Sequence, residues 1–393
     1  MASSFLNKYQ GNIFQILLLF IVLIPLGMFI SWLLTTKRPL VVAIIDKTVL
    51  TKNGQEHISL NWILTQEKFS KNRRELYNPE SDYFGFFPGD NESFQTKGLE
   101  SLSTNSLAEL SNATEVVYNT DSYGIYRNEW YKVGEDKERS GIIYGGMSKQ
   151  DLFFLQQMKA KHKLIITEFN CLGSPTDTMI RRGFESDFGI HWTGWIGRYF
   201  NSFDTLTNKE LPRWLIKNYQ LQHKGSWPFR KSGIAFIHSN DQIVILEKGI
   251  HLNEELPFIF ANREGMKHYG LPNKMKYGFW FDILTVDSSY NHVMADYKID
   301  VNENGKKELS INHIPFIFPA ITAHVNNDYR FFYFSGDFCD NPITLTTSYF
   351  KGVKAFNWFL YNKRDPQERN SFFWLFYRPL VTTILNDYYT SIH

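Results

Sequence analysis

The chain has 393 residues and a formal net charge of +2, with 42 Lys and Arg against 40 Asp and Glu. Because the basic residues are scattered, this balance speaks against nucleic acid as principal partner, which would need a basic stripe. Two cysteines, Cys171 and Cys339, exclude a disulfide-built scaffold, and no C-x-x-C, H-E-x-x-H or other compact ligand spacing points to a metal or cofactor. Aromatic residues make up 17% of the chain, enough for a ring-rich core and for exposed platforms that suit sugar faces or protein partners.

Residues 1–12 read as a short tail. Ile13 to Leu34 then form an uncharged apolar run, which as a helix would reach the ~30 Å of a bilayer core. Trp32 stands where an interfacial aromatic would, and Lys37 and Arg38 close the segment. Residues 13–35 are therefore predicted to be a transmembrane helix, contacting the lipid bilayer in a single-pass membrane protein. Lys37, Arg38, Lys47 and Lys52 follow the run and favour a cytoplasmic domain by charge alone. Long domains translocate largely regardless of flanking charge, so the expectation is an extracytoplasmic globule.

Beyond the run the predicted fold is α/β. Val41–Ile45 is a doubly buried parallel strand ending in Asp46. Residues 57–69 have helical spacing through Leu60, Ile63 and Leu64, and residues 74–101 form a long loop-like insertion containing Tyr83-Phe84-Gly85-Phe86-Phe87-Pro88. Glu115–Thr120 is a second strand, ending at Asp121. Ser148 with Asp151 caps a helix, Lys163–Phe169 is a third strand, and Pro175 opens a helix that ends near Gly189. This rhythm over residues 40–200 predicts right-handed crossovers onto a doubly wound, mostly parallel sheet of flavodoxin-like form.

Residues 201–393 read as a β-rich and helical second half packed on the first. It holds a helix at 210–222, strands at 233–238, 242–247, 276–285, 292–301 and 329–335, and a hairpin turn at Glu303-Asn304-Gly305. A C-terminal helix over 366–389 must be kinked or split at Pro379.

Ligands of open α/β sheets bind at the carboxyl ends of the strands. Asp46, then Asp121 with Tyr123, then Glu168 with Asn170 and Cys171, gather at that edge. Cys171 sits between a strand and a helix in Phe169-Asn170-Cys171-Leu172-Gly173, where a helix N-terminus would lower its pKa. This strand–Cys–x–Gly–helix order, over about residues 40–190, resembles the class I glutamine amidotransferase-like superfamily. The resemblance implies a thiol nucleophile at Cys171 and a His-x-Glu pair after a late strand. The comparable strand, Arg330–Phe334, runs into Ser335-Gly336-Asp337-Phe338-Cys339-Asp340 with no histidine, so the resemblance is to a degenerate member that lacks the base.

The function expected from the sequence is a membrane-anchored, non-catalytic domain that binds a cell-envelope glycan or protein partner at this edge. Asp121, Tyr123, Asn170, Trp195, Arg198 and Tyr199 are the expected lining. The alternative is a carbohydrate-active hydrolase using Glu168 and Asp337 as its carboxylate pair. A thiol reaction at Cys171 is a third reading.

Overall fold

Four short strands, β1 (Val42–Asp46), β4 (Val116–Asp121), β5 (Leu164–Glu168) and β14 (Arg330–Phe334), lie parallel and side by side at the centre of the molecule, and the first three end in an acidic residue. The computed structural model describes residues 19–52, 56–131, 140–362, 364–365 and 367–393. Alternate residues of these strands face two different cores, which is why they read as unbroken apolar runs. Ala43, Ile45, Val117 and Ile165 face α3 (Thr104–Ala113), α4 (Lys149–Ala160) and α5 (Thr178–Phe188). Val42, Ile44, Tyr118 and Ile166 face α2 (Ile58–Gln66) and the C-terminal helix α8 (Arg378–Ile392). At Pro379 the helix is not broken. A π-helical turn over Phe373–Tyr377 precedes it and accommodates the missing N–H and the ring.

The sheet has ten strands, in the order β10-β9-β12-β13-β14-β5-β4-β1-β2-β3. The further strands are β2 (Phe84–Pro88), β3 (Phe94–Lys97), β9 (Phe258–Ala261), β10 (Lys274–Lys276), β12 (His292–Lys298) and β13 (Ile317–Val325). Four of its pairings are parallel and five antiparallel. The expectation of a mostly parallel, flavodoxin-like sheet is thus corrected to a large mixed sheet. Strands β9, β10, β12 and β13 join the sheet antiparallel to their neighbours, and β13 turns back into β14 through a short loop. A second, antiparallel sheet in the order β8-β7-β6-β11 comprises β6 (Ile190–Phe200), β7 (Gly233–His238), β8 (Ile243–Glu247) and β11 (Phe281–Val286). Its Phe236, Phe281 and Ile283 share a core with Phe318, Tyr297 and Ala320 of the first sheet. α6 (Arg213–Gln222) covers its other face.

The transmembrane expectation is also corrected. Residues 13–18 lie outside the described residues, and the described helix, α1, covers 19–34, about 24 Å at the rise of an α-helix. Among the described residues no helix is long and apolar enough to cross a membrane. Trp32 is buried in protein: its indole N–H donates to the Thr65 carbonyl at 3.0 Å, and Lys68 Nζ lies 3.2 Å from its ring centroid. The single-pass anchor and the extracytoplasmic placement drawn from it are withdrawn. Two local readings change as well. Glu303-Asn304-Gly305 opens the helix α7 (Glu303–Ile311), because Asn302 caps it by accepting from Gly305 N–H at 3.1 Å. α5 begins at Thr178, capped by Asp177 rather than opened by Pro175.

The residue after Asp46 shows how tightly the strand ends are fixed. Lys47 is almost fully buried, with Nζ 2.6 Å from Asp151 Oδ2 and donating to the Gly146 carbonyl at 3.0 Å. Removing one partner of a buried ion pair strands the other, at a cost of about 3–5 kcal/mol. Lys47→Ala is expected to lower the urea unfolding free energy by that order. A loss under about 1 kcal/mol would mean that water reaches Asp151 in the folded protein.

Candidate functional site

Three carboxylates converge beyond the carboxyl ends of the parallel strands. Glu56, in the turn before α2, and Asp337 and Asp340, in the loop after β14, bring carboxyl oxygens within 4.8 Å of one another. Arg369, just ahead of the C-terminal helical segment, reaches into the group. Its Nη1 is 3.2 Å from Asp337 Oδ2 and 2.8 Å from Asp340 Oδ2, and its Nη2 donates to the Asp337 carbonyl. Its guanidinium lies 4.2 Å from the ring centroid of Phe279, and the neighbouring Trp280 carbonyl accepts from Asp337 N–H at 3.2 Å. Asp46 and Asp121 add two further carboxyl groups from the strand ends.

The electrostatics follow from this crowding. Burial, then repulsion by Asp340, Asp337, Asp121 and Asp46, pushes the Glu56 carboxyl well above its ordinary range. Burial moves Asp337 up to about 7, opposed by Arg369 and reinforced by Asp340. Asp121 is also raised, first by burial and then by Asp337. The cluster therefore holds protons near neutrality, placing proton donors beside carboxylates in ion pairs. An all-oxygen donor set of this kind also suits a hard cation such as Ca²⁺ or Mg²⁺, with Glu56, Asp337 and Asp340 as the ligands.

Of the residues expected at the edge, Asp337 is in the cluster and Asp121 lies against it. Asp121 is buried and accepts from Tyr123 N–H. Tyr123 is half-buried, its ring 4.8 Å from that of Tyr126. Arg198 is the only one of the aromatic-segment candidates that feels the cluster. It pairs with Glu210 at 3.2 Å and sits 5.5 Å from the Trp280 ring, and burial lowers its pKa. Trp195 and Tyr199 are packing residues, 4% and 2% exposed, and neither offers a ring face to a ligand. The Trp195 ring lies against His238.

Glu168 does not face Asp337 across an open cleft. It is fully buried, accepts from Tyr118 Oη, and accepts from Phe338 and Cys339 N–H at 2.9 Å each. Burial raises its pKa well above the usual range. Asn170 is buried beside it in the chain and joined to Phe169 by a cis peptide. Cys171 is buried too, 3.9 Å from both Ser122 Oγ and the Asn119 carbonyl oxygen, and burial raises its pKa rather than lowering it. The helix expected to activate the thiol starts only at Thr178, and both cysteines are free thiols.

Glu56, Asp340, Arg369 and Trp280 were not among the expected site residues. Asp340 lies in the same polar run as Asp337 and was within reach of the strand-end argument. Glu56 and Arg369 are brought in by chain segments that no local pattern connects. A cleft of about 340 Å³ opens at the opposite, amino end of β5 and β14 near Arg330, His268 and Asp387. Chemistry rather than volume singles out the carboxylate cluster.

No protein-family model matches the chain, and no curated protein matches it. Solved structures that are similar at low level include three of carbohydrate-active or ThuA-like proteins. A β-galactosidase from Bacillus circulans sp. alkalophilus aligns at 11% identity and TM-score 0.33, over 80% of this chain and 32% of that one. Agd3, a carbohydrate deacetylase, aligns at 8% and 0.31, over 86% and 33%. A ThuA-like protein from Bacteroides uniformis aligns at 11% and 0.35, over 82% and 93%. The chain thus spans about a third of the length of the first two.

The raised carboxyls give stability a defined pH dependence. Asp282 of β11 is 1% exposed, accepts from Tyr333 Oη at 2.5 Å and is pushed up to about 7, chiefly by burial. It binds its proton more tightly in the folded than in the unfolded chain. Its contribution is full below about pH 4 and is lost as the pH rises to about 7. Urea unfolding between pH 4.5 and 7.5 is expected to show stability falling with pH, and Asp282→Asn to flatten that slope. An unchanged slope in the variant would assign the dependence to other groups.

Proposed function

We propose that the carboxyl edge of the central parallel strands binds a polyhydroxylated, sugar-like ligand through Glu56, Asp337, Asp340 and Arg369. The observation that carries this reading is the convergence of three carboxyl groups within 4.8 Å around one guanidinium. The hydroxyls around a sugar ring present donors and acceptors close enough together to meet several of these groups at once. Carboxylates take the donors, and neutral carboxyls and the guanidinium serve the acceptors, through charge-assisted bonds worth about 1.5–3 kcal/mol each. Phe279 and Trp280, half-buried beside Arg369, border the site with apolar surface.

One observation favours hydrolysis as a second reading. With oxygens no more than 4.8 Å apart, the carboxyls are nearer the ~5–5.5 Å separation of retaining glycosidases than the wider spacing of inverting ones. In that chemistry Glu56 or Asp337, kept protonated by burial, gives its proton to the leaving oxygen, and an ionised neighbour attacks the sugar carbon. The carboxyl pair is then drawn from Glu56, Asp337 and Asp340 in place of the Glu168–Asp337 pair, since Glu168 already accepts three hydrogen bonds in the core.

Calorimetric titration with cello-, xylo- and chito-oligosaccharides, alongside an assay for released reducing ends, tests both readings. Binding is expected in the wild type, weakened at least about tenfold in Asp340→Asn, where a charged acceptor is lost. Reducing-end release with retained anomeric configuration would establish the second reading. No binding to any of these sugars, or binding indifferent to Asp340→Asn, would dismiss both.

A further inference from the structure

α1 carries far more apolar surface than its contacts with the rest of the chain use. Its last turns are fastened to the globule. The Lys351 N–H donates to the Met28 carbonyl at 3.1 Å, and the Trp32 ring meets that of Tyr349 edge-on with centroids 4.7 Å apart. Every residue from 19 to 27 is exposed, so about 13 Å of helix stands clear of the globule at the rise of an α-helix. A helix this short draws its stability from the packing of an apolar face, and this half finds no such packing among the described residues.

The order of the side chains marks one face for contact. Leu19, Leu23, Leu26, Ile30 and Leu33 follow one another at spacings of 4, 3, 4 and 3, and each is between 45% and 55% exposed. At about 100° per residue they form a stripe roughly 80° wide. Met28 and Trp32, by which the globule holds the helix, lie on the opposite side. The neighbouring rows are interrupted, by Pro25 on one flank and by Gly27 and Ser31 on the other. The one unbroken row of large aliphatic side chains is therefore the row turned away from the globule.

We infer that this stripe is a self-association seam, through which α1 pairs in parallel with α1 of a second copy of the chain as a short two-stranded coiled coil. The alternation of 4 and 3 is the heptad spacing by which the knobs of one helix enter the holes of another. It puts Leu19, Leu26 and Leu33 at d positions and Leu23 and Ile30 at a positions, and a β-branched residue at a with Leu at d favours two parallel strands. A stripe that repeats along its own helix is complementary to itself, as a two-fold contact requires. A lipid surface asks only for apolar area and has no use for the spacing, so the order of the residues selects a second helix. Each globule grips its helix from the far side and stays outside the pair, and no charged residue between 19 and 34 opposes the approach.

The test is sedimentation equilibrium of the full chain in detergent-free buffer, at about 1–20 µM. A species of twice the mass of one chain is expected. Leu26→Lys, which puts a charge into the seam, should raise the dissociation constant at least about a hundredfold and leave monomer, whereas Leu26→Met should keep the dimer. Leu26 is exposed and clear of the globule, so near-ultraviolet circular dichroism of both variants should match the wild type. Leu33→Cys should form a disulfide between copies on mild oxidation, because the parallel pair sets position 33 against itself and an antiparallel pair sets it against Leu19. A wild-type monomer across this range, or a dimer that survives Leu26→Lys, overturns the seam. A dimer in which Leu33→Cys does not crosslink overturns its parallel order. A monomer that floats with phosphatidylcholine–phosphatidylglycerol vesicles overturns the seam too, and gives the stripe to lipid.

Discussion

One buried carboxyl ties the centre of this molecule together. Glu168, the last residue of β5, has no access to water, yet each of its oxygens has a partner. Tyr118 of β4 serves one, and two successive backbone N–H groups of the loop after β14 serve the other. Tyr118 in turn meets Tyr377 at 2.9 Å, and Tyr377 donates to Cys339 Sγ at 3.0 Å. These bonds join the carboxyl, two hydroxyls and a thiol into one buried network. Every member is far from its neighbours in sequence, so the network fixes where the loop 335–341 leaves β14. That loop carries Asp337 and Asp340, and the functional edge therefore inherits its geometry from a polar core it does not expose.

The site itself is the reverse case. There carboxylates are brought together with too few cations to neutralise them, and Arg369 holds two at once. Crowded acids of this kind cost folding energy and are tolerated where a ligand or a proton relieves them. The contrast separates two uses of the same residue type at the same sheet edge. Glu168 is satisfied from within, whereas Glu56, Asp337 and Asp340 satisfy one another poorly.

The periodic parts of the chain were legible as sequence. The doubly apolar runs gave β1, β4, β5 and β14 and the edge on which Asp46, Asp121 and Asp337 gather, because burial on both faces leaves a signal that needs no tertiary knowledge. The capped helix after Ser148 was equally plain. What was not legible depended on partners distant in sequence. Strands β9 and β13 are apolar pieces that only their pairing distinguishes from loops, and the 74–101 insertion hides β2 and β3 behind Gly and Pro. Cys171 looked exposed because strand-to-helix turns usually are, but nine residues of turn separate β5 from α5, and the core closes over the thiol. Trp195 and Tyr199 looked like platforms because their segment is rich in glycine, yet it is an inner strand of the second sheet. The apolar run at the N-terminus had the composition of a spanning helix, while Trp32 at its end is engaged by Thr65 and Lys68, contacts that no composition reveals.

β14 has a further consequence for how the protein comes into being. It is made from residues 330–334 but lies between a strand of residues 164–168 and one of residues 317–325. Until the ribosome has released it, β5 presents an unpaired edge in the middle of what will become the sheet, with an apolar face on either side. Such an edge invites pairing with another chain. The nascent chain must therefore stay incomplete, or be shielded, for roughly the time it takes to make half of itself. Division of the gene near residue 200 would yield two fragments that each lack the other's central strand.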